Sequence, residues 1–409
     1  MRILFLSDDF PPLSFGGAGI STYELAVAMK KAGHDVFVIT TCRKENEAGE
    51  FEYEGVKIYR IANDYNERWR AYFSLYNPKV TRQLKKILAE LKPDVVHINN
   101  VHYYLSYYSI KIAKKYAKAV VFTFRDAMAF SYGKLRTKKY LDNLDARLTW
   151  LDQLRQAKKR WNPLRNFVVR RYLRYADKLF AVSDALKIAL EQNGIKNVEV
   201  MHTGVNVADW QVSQNEITSF KQQNSIESRK VLLFGGRLSE AKGGKQTVEA
   251  LASVVKKVSG TALVVAADKD KYTSFMMKIA EKLGVGDKII FTGWLDREKM
   301  KHALGATDVV LVPSVCFDAL PRAVLEGMAA GRPVVGTCYG GAPEAITDSV
   351  TGYVVNPFNT TEMAEKITNL LRDEGGRIRF GEASRKRIET HFNLNDKIAN
   401  LISVYEKLS

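Results

Sequence analysis

Two carboxylates with seven residues between them raise the question of what chemistry this chain performs. In SVCFDALPRAVLEGMAAGRPVVG, Ser314 to Gly336, the acids are Asp318 and Glu326, and Glu326 sits among Val324, Leu325, Met328, Ala329 and Ala330. Burying an ionised side chain without a partner costs several kcal/mol, so Glu326 is either satisfied or faces a cleft. Val309 to Val312 reads as a strand, Pro321 suits the first helical position, Gly331 ends the helix and Pro333 lies beyond it. Asp318 then stands ahead of a helix N-terminus and Glu326 about one and a half turns inside. Both can look into one crevice, where carboxylates accepting from vicinal hydroxyls suit a ribose or a hexose. The plainer reading, a solvated helical glutamate, is weakened by the apolar neighbours on every side.

Two glycine-bearing loops could hold anions. DDFPPLSFGGAGIST follows the first strand and opens a helix, placing Gly16, Gly17 and Gly19 where backbone approaches a ligand closely. Such a loop is a phosphate site or simply a turn. In the second half, FGGRLSEAKGGKQ sets Arg237 and Lys242 just past a strand and Gly243–Gly244 before a helix, a diphosphate cradle or two exposed cations in a loop. Neither the G-x-G-x-x-G fingerprint nor G-x-x-x-x-G-K-[ST] occurs, which disfavours a simple dehydrogenase or a P-loop enzyme. His97, ending a strand, and His102 are cleft candidates, although a histidine at a strand end is more often a packed, hydrogen-bonded residue. The acids nearest the crevice form no Asp-x-Asp cluster, so no metal site is expected.

These residues need strands and helices to position them. Short β-branched runs alternate with helical patterns twice over, which predicts two parallel sheets with crossover helices. First-half strands are expected at 2–7, 35–40, 95–99, 119–124 and 178–183, with helices near 19–32, 78–91, 107–117, 163–176 and 184–193. Second-half strands are expected at 230–236, 262–267, 289–293, 309–314, 333–337 and 352–355. The polar stretch 202–220 reads as a hinge, and the tail from 381 is helical in pattern. Ligands of doubly wound sheets bind at the carboxyl ends of the strands.

Composition sets outer bounds. The 409 residues, 46% hydrophobic and 26% charged, are those of a globular chain of two to three domains. Apolar runs fall far short of the ~20 residues of a membrane span, and MRILFLSDDF is unlike a secretory signal, so a cytoplasmic protein is expected. Three scattered cysteines read as reduced thiols. The net charge of +17 invites anionic partners. Much of it lies between Lys134 and Lys178, interleaved with Trp150, Trp161, Leu164, Phe167, Val168, Tyr172 and Leu173. That stretch is a solvated helix face or a docking surface for an anionic membrane. Nucleic acid is disfavoured, because no recognition signature accompanies the cations.

GGRLSEAKGG, FTGWL, VVLVPS, DALPRAVLEGMAAGRPVVGTCYGGAPEAI and TGYVV, in that order, resemble the retaining glycosyltransferases of family 4 with the GT-B fold, and the resemblance spans nearly the whole chain. It implies an α/β fold of two Rossmann-like doubly wound domains facing a central cleft. An acceptor-binding domain would occupy 1–205, a sugar-nucleotide-binding domain 206–380, and a helical segment 381–409 would pack back across the junction. The family's E-x7-E pair falls on Asp318, here one methylene shorter, and Glu326. The resemblance implies that Asp318 binds the donor sugar's hydroxyls and Glu326 the nucleotide ribose, with Arg237 and Lys242 on the diphosphate. Gly16, Gly17, Trp294, Ala319 and Leu320 complete the donor-binding candidates. TFRDAMAF carries Arg125 and Asp126 where many relatives have a His-Asp pair. Arg125 stays protonated and cannot be a general base, but could stabilise charge near the leaving diphosphate. The expectation is a retaining hexosyltransferase acting from a nucleoside-diphosphate sugar on a glycan or glycolipid, requiring no cofactor or metal, and either cytoplasmic or peripheral at the inner membrane face. The alternatives are a non-catalytic sugar-nucleotide or glycan-binding protein of the same fold, or a GT-B epimerase or sucrose- or trehalose-type synthase.

Overall fold

In a computed structural model, which describes every residue except Ser14, Phe15, Arg237 and Lys269, the strand runs assemble into two sheets in two separate units. One unit is Met1–Thr203 together with Asn395–Ser409, the other Gly204–Leu394.

The first sheet contains β1 (Arg2–Leu6), β2 (Asp35–Cys42), β3 (Gly49–Tyr53), β4 (Val56–Ala62), β5 (Val95–Ile98), β6 (Ala119–Phe124), β7 (Lys178–Ala181) and β8 (Val198–Val200). Their order is β3-β4-β2-β1-β5-β6-β7-β8. All pairs are parallel except the β3–β4 hairpin. Helices cover this sheet, so β5 and β6 are buried along their whole length and read as unbroken apolar runs apart from His97 and Thr123. The crossover helix Pro78–Leu91 shows the local logic. Asn77 caps it, Pro78 opens it, and Val80, Leu84, Leu88 and Leu91 are buried along one face at helical spacing.

Three strands lie outside the sequence expectation. The β3–β4 turn uses Glu54 and Gly55, both at positive φ, in place of a readily recognised Asn-Gly pair. β8 has only three residues, too few to show a period.

The second sheet is wholly parallel: β9 (Lys230–Phe234), β10 (Thr261–Val265), β11 (Ile289–Phe291), β12 (Val309–Val312), β13 (Val334–Thr337) and β14 (Gly352–Val355), in the order β11-β10-β9-β12-β13-β14. Its core joins Leu232, Phe234, Leu263, Val265 and Leu311 to Val248, Leu251 and Val254 of one helix and Met363, Ile367 and Leu370 of another.

Two segments are resolved more finely by the structure. The stretch 202–220, read as a hinge, also starts a helix: Ser213 and Glu216 form a reciprocal capping box that opens Gln214–Gln223, a signature legible in the sequence. The helical tail from 381 divides between two helices. Its first part lies within the helix Glu374–His391 of the second unit, whereas Asn395–Ser409 belongs to the first. There Ile398, Leu401 and Tyr405 of the helix Leu394–Leu408 are buried.

Candidate functional site

The order of each sheet reverses once, between β1 and β5 in the first and between β9 and β12 in the second, and loops leaving the carboxyl ends of two such strands diverge there. In the second unit these loops bring Lys242 and Asp318 together. Lys242 ends a short 3-10 turn after β9, and its Nζ donates to Oδ2 of Asp318 in the loop after β12. The loops are knit by main chain: Val315 N donates to the Ala241 carbonyl at 3.0 Å. Two glycines permit this closeness. A Cβ on Gly243, which has φ of 82°, would lie 2.0 Å from the Pro313 carbonyl oxygen, and a Cβ on Gly340, at φ of 71°, 2.0 Å from that of Asp318. Gly341 N then donates to the Asp318 carbonyl at 2.9 Å.

Glu326 finds its partner on its own helix. The helix Arg322–Ala329 begins one residue later than expected, with Pro321 as its cap, and Arg322 Nε donates to Glu326 Oε1 at 2.9 Å. Both side chains are mostly buried. A guanidinium one turn away thus answers how a carboxylate survives among apolar residues. Arg322 was missed, although its i,i+4 spacing from Glu326 is plain in the sequence.

The other donor-binding candidates of this unit divide. Ala319 and Leu320 have buried side chains, so only their main chain could meet a ligand, and neither N–H donates to an acceptor among the described residues. Trp294 follows the positive-φ Gly293 after β11 and is 61% exposed, leaving an indole face open for stacking. Arg237 lies outside the described residues.

In the first unit, Gly17 opens the helix Gly17–Lys31 and Gly16 caps it; both are exposed, and a Cβ on Gly16 would meet nothing within 4 Å. Asp8, unremarked in the sequence reading, pins this loop to the one after β5. Its carboxylate accepts from the main-chain N–H groups of Tyr103, Tyr104 and Leu105 at 2.7, 2.8 and 2.8 Å. Burial pushes its carboxyl up to about 7 against these three donors, which favour the ionised form. An acid two residues past the apolar run Ile3–Leu6 is the signal that could have found it.

His97 is a core residue, not a cleft residue. Its Nδ1 pairs with the Tyr405 hydroxyl at 2.5 Å and its Nε2 with Thr123 Oγ1 at 2.7 Å, so both nitrogens are taken. Burial lowers its pKa to about 3. His102 is buried too, and its Nε2 stands 3.6 Å from Asp126 Oδ2. Burial lowers its pKa to about 4, against the pull of Asp126. Asp126 also caps a 3-10 turn by accepting from Met128 N at 2.9 Å. Arg125 is tethered, its Nε donating to Asn99 Oδ1 at 2.9 Å and its Nη1 to Thr203 Oγ1 at 3.3 Å.

The basic stretch sorts by burial. Trp150 and Phe167 are 65% and 60% exposed, and Leu151, Leu154 and Leu164 join them on the surface, beside exposed Lys158 and Lys159. Trp161 and Tyr172 are half-buried, Trp161 packing against Ala71, Tyr132 and Ala157. Arg165 is only 3% exposed, donating to the Met128 carbonyl and Asn166, and is not part of any surface. Its guanidinium lies 4.8 Å from the centroid of the Tyr132 ring. Among the described residues, no helix is long and apolar enough to cross a membrane.

Two doubly wound parallel-sheet units in one chain are the GT-B architecture of glycosyltransferases. Solved structures agree on the fold: sucrose-phosphate synthase from Thermosynechococcus elongatus gives a TM-score of 0.78 at 19% identity, over 100% of this chain and 99% of that one. Anabaena Alr3699/HepE in complex with UDP-glucose gives 0.73 at 18% identity, over 99% and 100%. Glycosyltransferase Family 4 matches residues 15–209 and Glycosyl transferases group 1 matches 215–387. The chain belongs to the GT-B glycosyltransferases of this group 1 and family 4 type. Glycogen synthase of Mycobacterium tuberculosis is 24% identical to it over 423 residues, 99% of this chain and 94% of that protein.

Proposed function

We propose that the enzyme moves a hexose from a nucleoside-diphosphate sugar to a hydroxyl of a glycan or glycolipid, with retention at the anomeric carbon. The observation that carries this reading is the Lys242–Asp318 pair at the β9/β12 switch point, with Glu326 farther along the following helix. Lys242, the N–H groups of Ala319 and Leu320, and Arg237 by its place in the sequence hold the diphosphate. Asp318 and Glu326 accept from sugar and ribose hydroxyls, and Trp294 offers its face to the base. HepE's complex with UDP-glucose supports the donor class, the glycogen synthase likeness supports a hexose, and retention follows the family resemblance.

The reaction breaks the bond from the anomeric carbon to the phosphate oxygen and forms one to the acceptor oxygen. The hydroxyl proton is released with the nucleoside diphosphate. Preorganised positive charge on the departing diphosphate is the main catalytic effect. The first unit supplies acceptor recognition; Gly16 and Gly17 are its donor-binding candidates, and Arg125 and Asp126 its catalytic ones. Its exposed aromatic and basic surface around Trp150, Leu164, Phe167, Lys158 and Lys159 suits an anionic membrane face carrying a lipid-linked acceptor.

The test is a screen of nucleoside-diphosphate sugars by thermal shift, since a ligand of the native state raises the melting temperature, followed by coupled measurement of nucleoside-diphosphate release with hydroxyl acceptors. A donor that stabilises the protein and is turned over only with acceptor is the expected result. Donor binding with no release against any acceptor would support the binding-protein alternative instead.

A further inference from the structure

The second unit has another cavity, of about 370 Å³, lined by Asp308, Arg332, Pro333, Arg377, Ile378 and Arg385 among others. Asp308 directly precedes β12 and Pro333 directly precedes β13, so it lies at the amino ends of strands whose carboxyl ends carry the donor site. Three guanidinium groups converge there, and they are not equally provided for. Arg377 is engaged through both terminal nitrogens: Nη2 pairs with Asp308 at 3.3 Å and Nη1 donates to the Leu370 and Leu371 carbonyls at 3.0 Å each. Arg332 donates from Nη2 to the Gly305 carbonyl at 2.7 Å, but its Nε is buried without an acceptor. Arg385 Nε is likewise buried without an acceptor, and no ion pair is formed by Arg385 among the described residues.

The main chain makes room for this arrangement. A Cβ on Gly331, at φ of 70°, would lie 2.7 Å from Arg385 Nη2, and one on Gly381 would lie 2.1 Å from the Gly331 carbonyl oxygen. Bare glycines thus let the helix Glu374–His391 press onto the turn before β13 and lay the Arg385 guanidinium along it. The carboxylate inside the cavity does not neutralise the other two arginines, because Asp308 already accepts from Arg377 and from Val231 N at 2.7 Å. Glu374 and Glu382 lie exposed at the rim. Buried guanidinium N–H groups without acceptors are costly unless something supplies them.

We infer that this cavity binds a phosphoryl group, as inorganic phosphate or on a small phosphate monoester, through Arg332 and Arg385 and separately from the donor site. The guanidinium fork matches two phosphate oxygens at once, which an ammonium cannot do. The volume falls in the range of small-ligand sites, and Ala330, Pro333 and Ile378 provide an apolar wall for a compact body attached to the phosphate.

Calorimetric titration of the full chain with inorganic phosphate and with glucose 6-phosphate, at low salt, tests this in wild type, Lys242→Ala, Arg385→Gln and Arg385→Lys. Binding should persist in Lys242→Ala and weaken by about tenfold or more in Arg385→Gln, the factor expected for losing a charge-assisted bidentate contact. Arg385→Lys, which keeps the charge but not the fork, should fall between. Tighter binding of glucose 6-phosphate than of phosphate assigns the monoester, and equal binding assigns phosphate itself. Unchanged donor affinity in Arg385→Gln shows that the variant is folded. The inference is overturned if wild type binds neither probe, if Arg385→Gln binds them as wild type does, or if Lys242→Ala abolishes binding.

Discussion

Lys242 and Asp318 are 76 residues apart in the chain and bonded to one another in space, because β9 and β12 are neighbours in the sheet. Each holds the other in position, and each compensates the other's charge while both are mostly buried. In the proposed transfer, a diphosphate arriving beside Lys242 would compete with Asp318 for its ammonium and release Asp318 to accept from sugar hydroxyls. The pair is thus a resting arrangement of two groups with separate tasks in the proposed transfer.

Lys242→Ala should therefore lower kcat by about 10²–10³, the usual loss when one preorganised stabiliser of a developing oxyanion is removed. Asp318→Asn should keep Lys242 in place but weaken hydroxyl recognition, raising KM for the donor more than it lowers kcat. Steady-state kinetics with the preferred donor separate the two patterns. Near-normal turnover in Lys242→Ala would remove it from the site.

Glu326 and Arg322 should act as a unit on donor affinity. Glu326→Gln keeps shape but loses charge, and Arg322→Ala leaves the carboxylate unpaired on an apolar helix face, where the cost is several kcal/mol for a buried charge and less for one partly wet. Donor binding should weaken in both, by about 1–3 kcal/mol for Glu326→Gln from its lost charge-assisted hydrogen bond to a hydroxyl. Calorimetric titration giving the wild-type affinity for Glu326→Gln would show that the glutamate is structural.

Acid should destabilise the fold through its buried histidines. His97 and His102 have pKa values lowered to about 3 and about 4, so the unfolded chain takes up their protons below the ordinary 6.5 while the native state does not. Their contribution is present above about pH 6.5 and lost as pH falls towards their folded values. Asp8 runs the other way. Its raised value of about 7 gives stability that is present below 3.8 and lost as pH rises through 7. Between pH 4 and 6.5 these groups leave a net excess of one proton in the unfolded state, a rise of roughly 1.4 kcal/mol per pH unit. Urea midpoints across that window should show a slope flattened by His102→Gln and steepened by Asp8→Asn. Identical slopes in the three proteins would refute the assignment.

Vesicle binding should depend on salt and on three cations. Charge reversal at Lys158, Lys159 and Arg160 should reduce sedimentation with anionic vesicles and leave donor affinity unchanged, since each surface cation contributes about 1 kcal/mol that ions screen. Phe167→Ser should also reduce it by removing an exposed apolar anchor. Equal sedimentation with neutral and anionic vesicles at low salt would return this surface to plain solvation.

Much of the architecture was legible because parallel strands buried on both faces are written as short β-branched runs. The eleven expected strands all occur, within two residues at most ends. The β3–β4 hairpin and β8 were not legible, since a Glu-Gly turn and a three-residue strand carry little local signal. The loop-strand-helix setting of Asp318 and Glu326 was also readable, because proline and glycine punctuate it.

By itself the sequence determined the residue types, the alternation that builds two sheets and the helical register that sets Arg322 one turn before Glu326. Only the tertiary structure decided which residues meet. It paired Lys242 with Asp318, pinned the glycine loop through Asp8, took His97 into the core with Tyr405, and gathered three arginines at the far end of β12. Strand order and the close approach at Gly243, Gly340 and Gly331 are long-range properties: they depend on atoms brought into contact from distant parts of the chain, and no local pattern of side chains specifies them.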